Sequence, residues 1–85
     1  MFLMFEEREV QPSKLLDALT NLDFDEGMRI HDSSNCITFV TRSVSEFCLN
    51  ICKNSDEKWF YSNTAEEAHN ILKKYLKEPL KVWVY

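Results

Sequence analysis

Three side chains of this sequence, His31, Cys36 and Cys52, are of types that carry chemistry. If residues 28–31, 36–42 and 46–52 are neighbouring strands, the three lie side by side on one sheet face. One chemistry for such a row is zinc, which needs four thiolate, imidazole or carboxylate ligands converging on a point. The row supplies three, with Glu57 or Asp32 as a strained fourth. Cys48 cannot join, because four residues of strand place it about 13 Å from Cys52, and no Cys-x-x-Cys pair is present. The other chemistry is a Cys36 thiolate activated by His31 as base. A flat sheet face offers no cleft, and the single glycine, Gly27, cannot build an oxyanion-binding loop. The expectation is therefore a chain with no catalytic residues, no metal and no cofactor, whose cysteines behave as small hydrophobes.

The strands that would position this row read as a meander of four antiparallel strands over residues 26–62. With Ser43-Val44-Ser45 as a turn, Arg42 faces Glu46, Val40 faces Cys48, Thr38 faces Asn50 and Cys36 faces Cys52. Phe39 then meets Leu49, and Ile37 meets Ile51, on the opposite, inward face. Strand side chains alternate with period two, so a slip of one residue exchanges the faces. A four-residue turn at Asp32-Ser33-Ser34-Asn35 sets Ile30 against Ile37 and Met28 against Phe39, choosing the same inward face. After Cys52 the loop length is ambiguous; three residues turn Trp59 and Tyr61 inward and bury the most aromatic surface. The outward face then carries Arg29, His31, Cys36, Thr38, Val40, Cys48, Asn50 and Cys52, joined by Lys58 and Phe60.

Around the meander, Phe2–Glu6 reads as a first strand fraying into Glu6–Glu9. Gln11-Pro12-Ser13 opens a helix whose Leu15, Leu16, Ala18, Leu19 and Leu22 share one face. Thr64 and Glu67 stand at capping-box spacing, and Ala65, Ala68, Ile71, Leu72, Tyr75 and Leu76 line one side of the helix that follows, with His69 on its solvent side. Pro79 ends that helix. In the last strand Leu80, Val82 and Val84 alternate with Lys81, Trp83 and Tyr85. The order β-α-β-β-β-β-α-β gives a single α+β domain over residues 1–85, a two-layer sandwich with both helices on one face of the sheet. The pairing of the first and last strands is left open.

The net charge of −4 is uneven: residues 1–42 hold eight acids and four bases, residues 43–85 six of each. An acidic balance disfavours nucleic acid as the main partner, since phosphate footprints are basic. No apolar run approaches the roughly 20 residues of a membrane span. Three cysteines form no complete disulfide set, and with no export signal the expected compartment is the reducing cytoplasm.

The helix–three-strand–helix core resembles the double-stranded RNA-binding domain. That resemblance implies lysines at the start of the last helix, where this chain has Glu66 and Glu67. Sheet-surface binding of single strands would want outward aromatics on central strands; Thr38, Asn50 and Cys48 are expected there instead. A nucleic-acid-binding domain is thus the alternative reading. The preferred one is a small protein-binding module, an inhibitor or adaptor of a larger protein. For this module the expectation includes a phage or mobile-element origin and a nucleic-acid-handling enzyme as the target. Its expected contact residues are Arg29, Thr38, Asn50, Phe60, Trp83 and Tyr85, since Trp, Tyr and Arg dominate interface energetics. Asp23, Asp25, Glu26 and Asp32 are expected to form an acidic surface. Exposed edge strands would also permit a homodimer by strand addition.

Overall fold

The structure is a computed structural model that describes residues 7–85; the expected first strand, Phe2–Glu6, lies outside the described residues. Eight elements follow in order: β1 (Arg8–Val10), α1 (Leu15–Thr20), β2 (Gly27–His31), β3 (Ile37–Arg42), β4 (Phe47–Lys53), β5 (Asp56–Ser62), α2 (Ala65–Tyr75) and β6 (Lys81–Val84), with a 3-10 turn at Pro12–Lys14 before α1. The strands form one antiparallel sheet in the order β1-β6-β2-β3-β4-β5. The α+β sandwich expected from the sequence is the architecture found, and the open pairing is settled by β6, which enters between β1 and β2.

Directly opposite residues of antiparallel strands share a face. One such row runs Val84–Met28–Val40–Leu49–Phe60, and the next runs Val82–Ile30–Thr38–Ile51–Lys58. Leu15, Leu19 and Leu22 from the α1 region and Ala68, Leu72 and Leu76 from the α2 region complete a single core with this face. The start of α2 is the one its sequence specifies: the Thr64 hydroxyl accepts the Glu67 N–H at 3.1 Å, and Glu66 and Glu67 occupy the first turn where the helix dipole favours them. Its buried side chains are Ala68 and Leu72. His69 is half-buried rather than fully solvated, and burial, with Lys73 nearby, holds its imidazole below the ordinary value.

All three hairpin loops differ by one residue from the lengths expected, and each difference has a local cause. Between β2 and β3 the Asp32 N–H bonds the Cys36 carbonyl at 3.1 Å, leaving a three-residue loop in which Asn35 adopts a left-handed φ of 68°. Short polar residues tolerate that conformation. Between β3 and β4 the Ser43 N–H bonds the Glu46 carbonyl at 2.8 Å, and its hydroxyl bonds the same residue, leaving a two-residue loop. Between β4 and β5 Lys53 pairs with Asp56 across two residues, with Asn54 at φ 56°.

Each change of loop parity flips a strand. In β3, Thr38 and Val40 are fully buried on the helix side and Phe39 points outward. Cys36 is buried too, so the row His31–Cys36–Cys52 does not exist; His31 and Cys52 each face Ile37. In β5, Lys58 and Phe60 take the helix side while Trp59 and Tyr61 stand outward, the reverse of expectation. Phe60 reaches the Tyr75 ring of α2, with centroids 4.8 Å apart.

Thr38 carries the one polar side chain in the middle of the inner rows, and its hydroxyl has no hydrogen-bond partner among the described residues. An unmet buried hydroxyl costs stability, and valine has nearly the same shape. Thr38→Val should raise stability by about 1 kcal/mol, about 4–8 °C in Tm for a domain of this size, as thermal melts would show.

Candidate functional site

Both helices pack on one face of the sheet, and the other face, uncovered among the described residues, gathers the informative side chains. Its central row runs Trp83–Arg29–Phe39–Asn50–Trp59 across β6, β2, β3, β4 and β5. A flanking row holds Tyr85, Gly27, Thr41, Cys48 and Tyr61, and another holds His31, Ile37, Cys52 and Glu57. Trp59 is 56 %, Tyr61 59 %, Phe39 40 % and Tyr85 39 % exposed. Four large rings on one uncovered sheet face are more than a scattering of single surface hydrophobes.

Of the six contact residues expected from the sequence, Arg29, Asn50, Trp83 and Tyr85 share this face. Thr38 and Phe60 do not: Thr38 is sealed in the core and Phe60 is half-buried beneath α2. The acidic surface also divides. Asp23 and Asp25 are exposed, whereas the Glu26 carboxylate folds back to accept the Asp23 N–H at 2.9 Å. Asp32 is buried and structural. Its carboxylate accepts the N–H groups of Ser34, Cys36 and Lys77 at 2.8, 2.9 and 3.0 Å. Burial pushes that carboxyl up, but these bonds, with the Ser34 hydroxyl, outweigh burial and hold it below its ordinary value.

The two halves of the central row differ. On the β6–β2 side the Arg29 guanidinium lies 4.8 Å from the centre of the Trp83 ring and its Nη2 is 3.1 Å from the Glu7 carboxylate. His31 meets the same ring edge-on at 5.0 Å. Trp83 is thereby fixed and half-buried. On the β3–β4–β5 side, Phe39 and Trp59 flank Asn50 and no guanidinium lies over either ring among the described residues. The concavity there is about 400 Å³ and is lined by Phe39, Thr41, Cys48, Asn50, Cys52, Glu57 and Trp59. Its floor is pre-ordered: Asn50 Nδ2 donates to Glu57 Oε1 at 2.9 Å, and the Cys52 thiol donates to Asn50 Oδ1 at 2.6 Å.

These contacts also bear on thiol chemistry. Burial pushes the Cys36 thiol up; burial and then the Glu57 carboxylate do the same at Cys52. Both shifts favour the unreactive thiol over the thiolate that attacks or binds metal. Among the described residues, no three His, Cys, Asp or Glu side chains lie close enough to hold a metal ion.

Phe39, Trp59 and Tyr61 were missed as surface residues by sequence reasoning; the signal that could have found them is the pair of asparagines, Asn35 and Asn54, each suited to the left-handed turn position it occupies. Among the described residues, no helix is long and apolar enough to cross a membrane. Comparison with protein-family models, with curated proteins and with solved structures gives no match.

Proposed function

We propose that the chain is a non-enzymatic protein-binding module, an inhibitor or adaptor, that engages its partner through the uncovered sheet face. The observation that carries this reading is the row Phe39–Asn50–Trp59, flanked by Tyr61 and Tyr85, set on a sheet face that no layer covers among the described residues. Rigid aromatic anchors around an ordered amide suit a protein interface, because little side-chain entropy is lost when they dock. Cys48 and Thr41 beside the rings add small groups against which a partner can close.

One observation favours nucleic acid as a second reading. With Phe39 outward on a central strand and Trp59 nearby, the face does offer rings on which bases could stack. Electrostatics speaks against it: Arg29 is already paired with Glu7, and Glu57 lies beside Trp59 on the same face.

The experiment is capture from lysate of the tagged full chain, with and without nuclease, using wild type, Trp59→Ala and an Asp17→Ala control on α1. The expected result is a protein retained after nuclease by wild type and control. Trp59→Ala should hold it at least about tenfold more weakly, as for a truncated aromatic hot spot. Capture lost on nuclease treatment supports nucleic acid instead, and capture indifferent to Trp59 removes this face from the interface.

A further inference from the structure

Resting on the protein-binding reading, we propose that the groove between Phe39 and Trp59 receives an arginine side chain of the partner. The two rings stand on β3 and β5 with β4 between them, about 9–10 Å apart at the backbone. Flat groups stack about 3.5–4 Å from a ring face, so one planar group touches both rings when they close to about 7–8 Å, a small side-chain rotation from the backbone spacing.

The groove lining selects the charge of that group. Glu57 is its only ionisable acid or base besides the two thiols, and no lysine or arginine lines it among the described residues. Among the described residues Glu57 makes no ion pair, and the carbonyl oxygen of its neighbour Asn50, which accepts the Cys52 thiol, keeps a second lone pair at the floor. A planar cation therefore finds two aromatic faces, a carboxylate and an amide oxygen; a phosphate or carboxylate finds a like charge and no counter-ion. A guanidinium uses all four features, with several donors in one plane, whereas an ammonium is a compact, strongly hydrated charge with no face to stack.

The same sheet supplies the precedent. Arg29 stacks on Trp83 and bonds Glu7, satisfying within the chain an aromatic-plus-carboxylate site of the kind that Trp59 and Glu57 offer to an outside group. Trp59 and Glu57 lie two residues apart on β5 and so project from the same face.

The test titrates the isotope-labelled full chain with acetyl-Gly-Arg-Gly-amide and reads amide and indole resonances. Its citrulline counterpart has the same shape without the charge, and its lysine counterpart has charge without the plane. Saturable shifts centred on Trp59, Asn50 and Phe39 are expected for the arginine peptide. Binding should be about three- to fivefold weaker for citrulline and for lysine, and Glu57→Gln should remove the difference between arginine and citrulline. Equal binding of arginine and citrulline, shifts centred on Trp83 and Tyr85, or no saturable shift overturns the proposal. If the peptide fails while protein capture still depends on Trp59, only this inference falls. If capture is indifferent to Trp59, the wider reading falls whatever the peptide does.

Discussion

An aspartate at Val40 should unfold this domain, while an aspartate at the adjacent Phe39 should leave it folded. Val40 is fully buried between Met28 and Leu49 on the helix side of the sheet. Among the described residues a carboxylate there has no cation within the core to pair with, and its burial costs at least several kcal/mol against a total stability of about 5–15 kcal/mol. Phe39 is 40 % exposed on the opposite face, where a carboxylate stays hydrated. Its loss removes part of one aromatic contact surface, with a Tm change of at most about 5–10 °C. Circular dichroism melts of the two variants decide the matter. A β3 slipped by one residue would give the reverse outcome, so the pair tests the register of the whole central hairpin.

Replacing Asp32 by alanine should cost about 2–4 kcal/mol, from the loss of charge-assisted bonds to three backbone donors. Two of these donors, Ser34 and Cys36, shape the β2–β3 loop; the third, Lys77, belongs to the segment joining α2 to β6. One carboxylate thus ties together chain stretches far apart in sequence, and the buried Cys36 N–H is left without its acceptor. Asparagine restores the shape and part of the bonding, so Asp32→Asn should lose less. The pH dependence has a definite sign. Because the folded carboxyl is held below its ordinary value of 3.8, its contribution is fully present above that pH and is lost as pH falls through the folded value. Urea unfolding between neutral and strongly acid pH should show a steep acid limb in the wild type that flattens in Asp32→Asn.

The sequence makes some of this fold plain and hides the rest for reasons that lie in particular residues. The α2 start follows from Thr64 and Glu67, whereas the helix ends at Tyr75, four residues before Pro79, and β2, β4 and β6 alternate so cleanly that their inward faces follow at once. In β3 the pattern Ile37-Thr38-Phe39-Val40 puts an apolar residue on either face, and the larger ring draws the eye inward. Two hairpins then agree on the wrong face because both take the same side of β3 as given. The deciding forces are short-range: the Asp32 carboxylate gathering loop N–H groups, and the Ser43–Glu46 bonds. In β5, Trp59-Phe60-Tyr61 offers aromatic burial in every register, so hydrophobicity cannot choose, and the two-residue turn through Asn54 does. The outer-face site inherits the error at β3 and β5 while Arg29, Asn50, Trp83 and Tyr85 come through unchanged.

The strand order also constrains when each pairing can occur as the chain folds. The three hairpins from β2 to β5 close short loops, which costs little chain entropy and proceeds quickly. The last strand must instead cross back to the far side of β2, where Val84 sits opposite Met28. Among the described residues, the short β1 pairs with β6 alone. Of the six described strands its partner is the last to be synthesised, and β1 has no template until β6 has docked. The aromatic face, borne mostly by the meander, is laid down in the early steps, and the arrival of β6 and then β1 completes the sheet beside it.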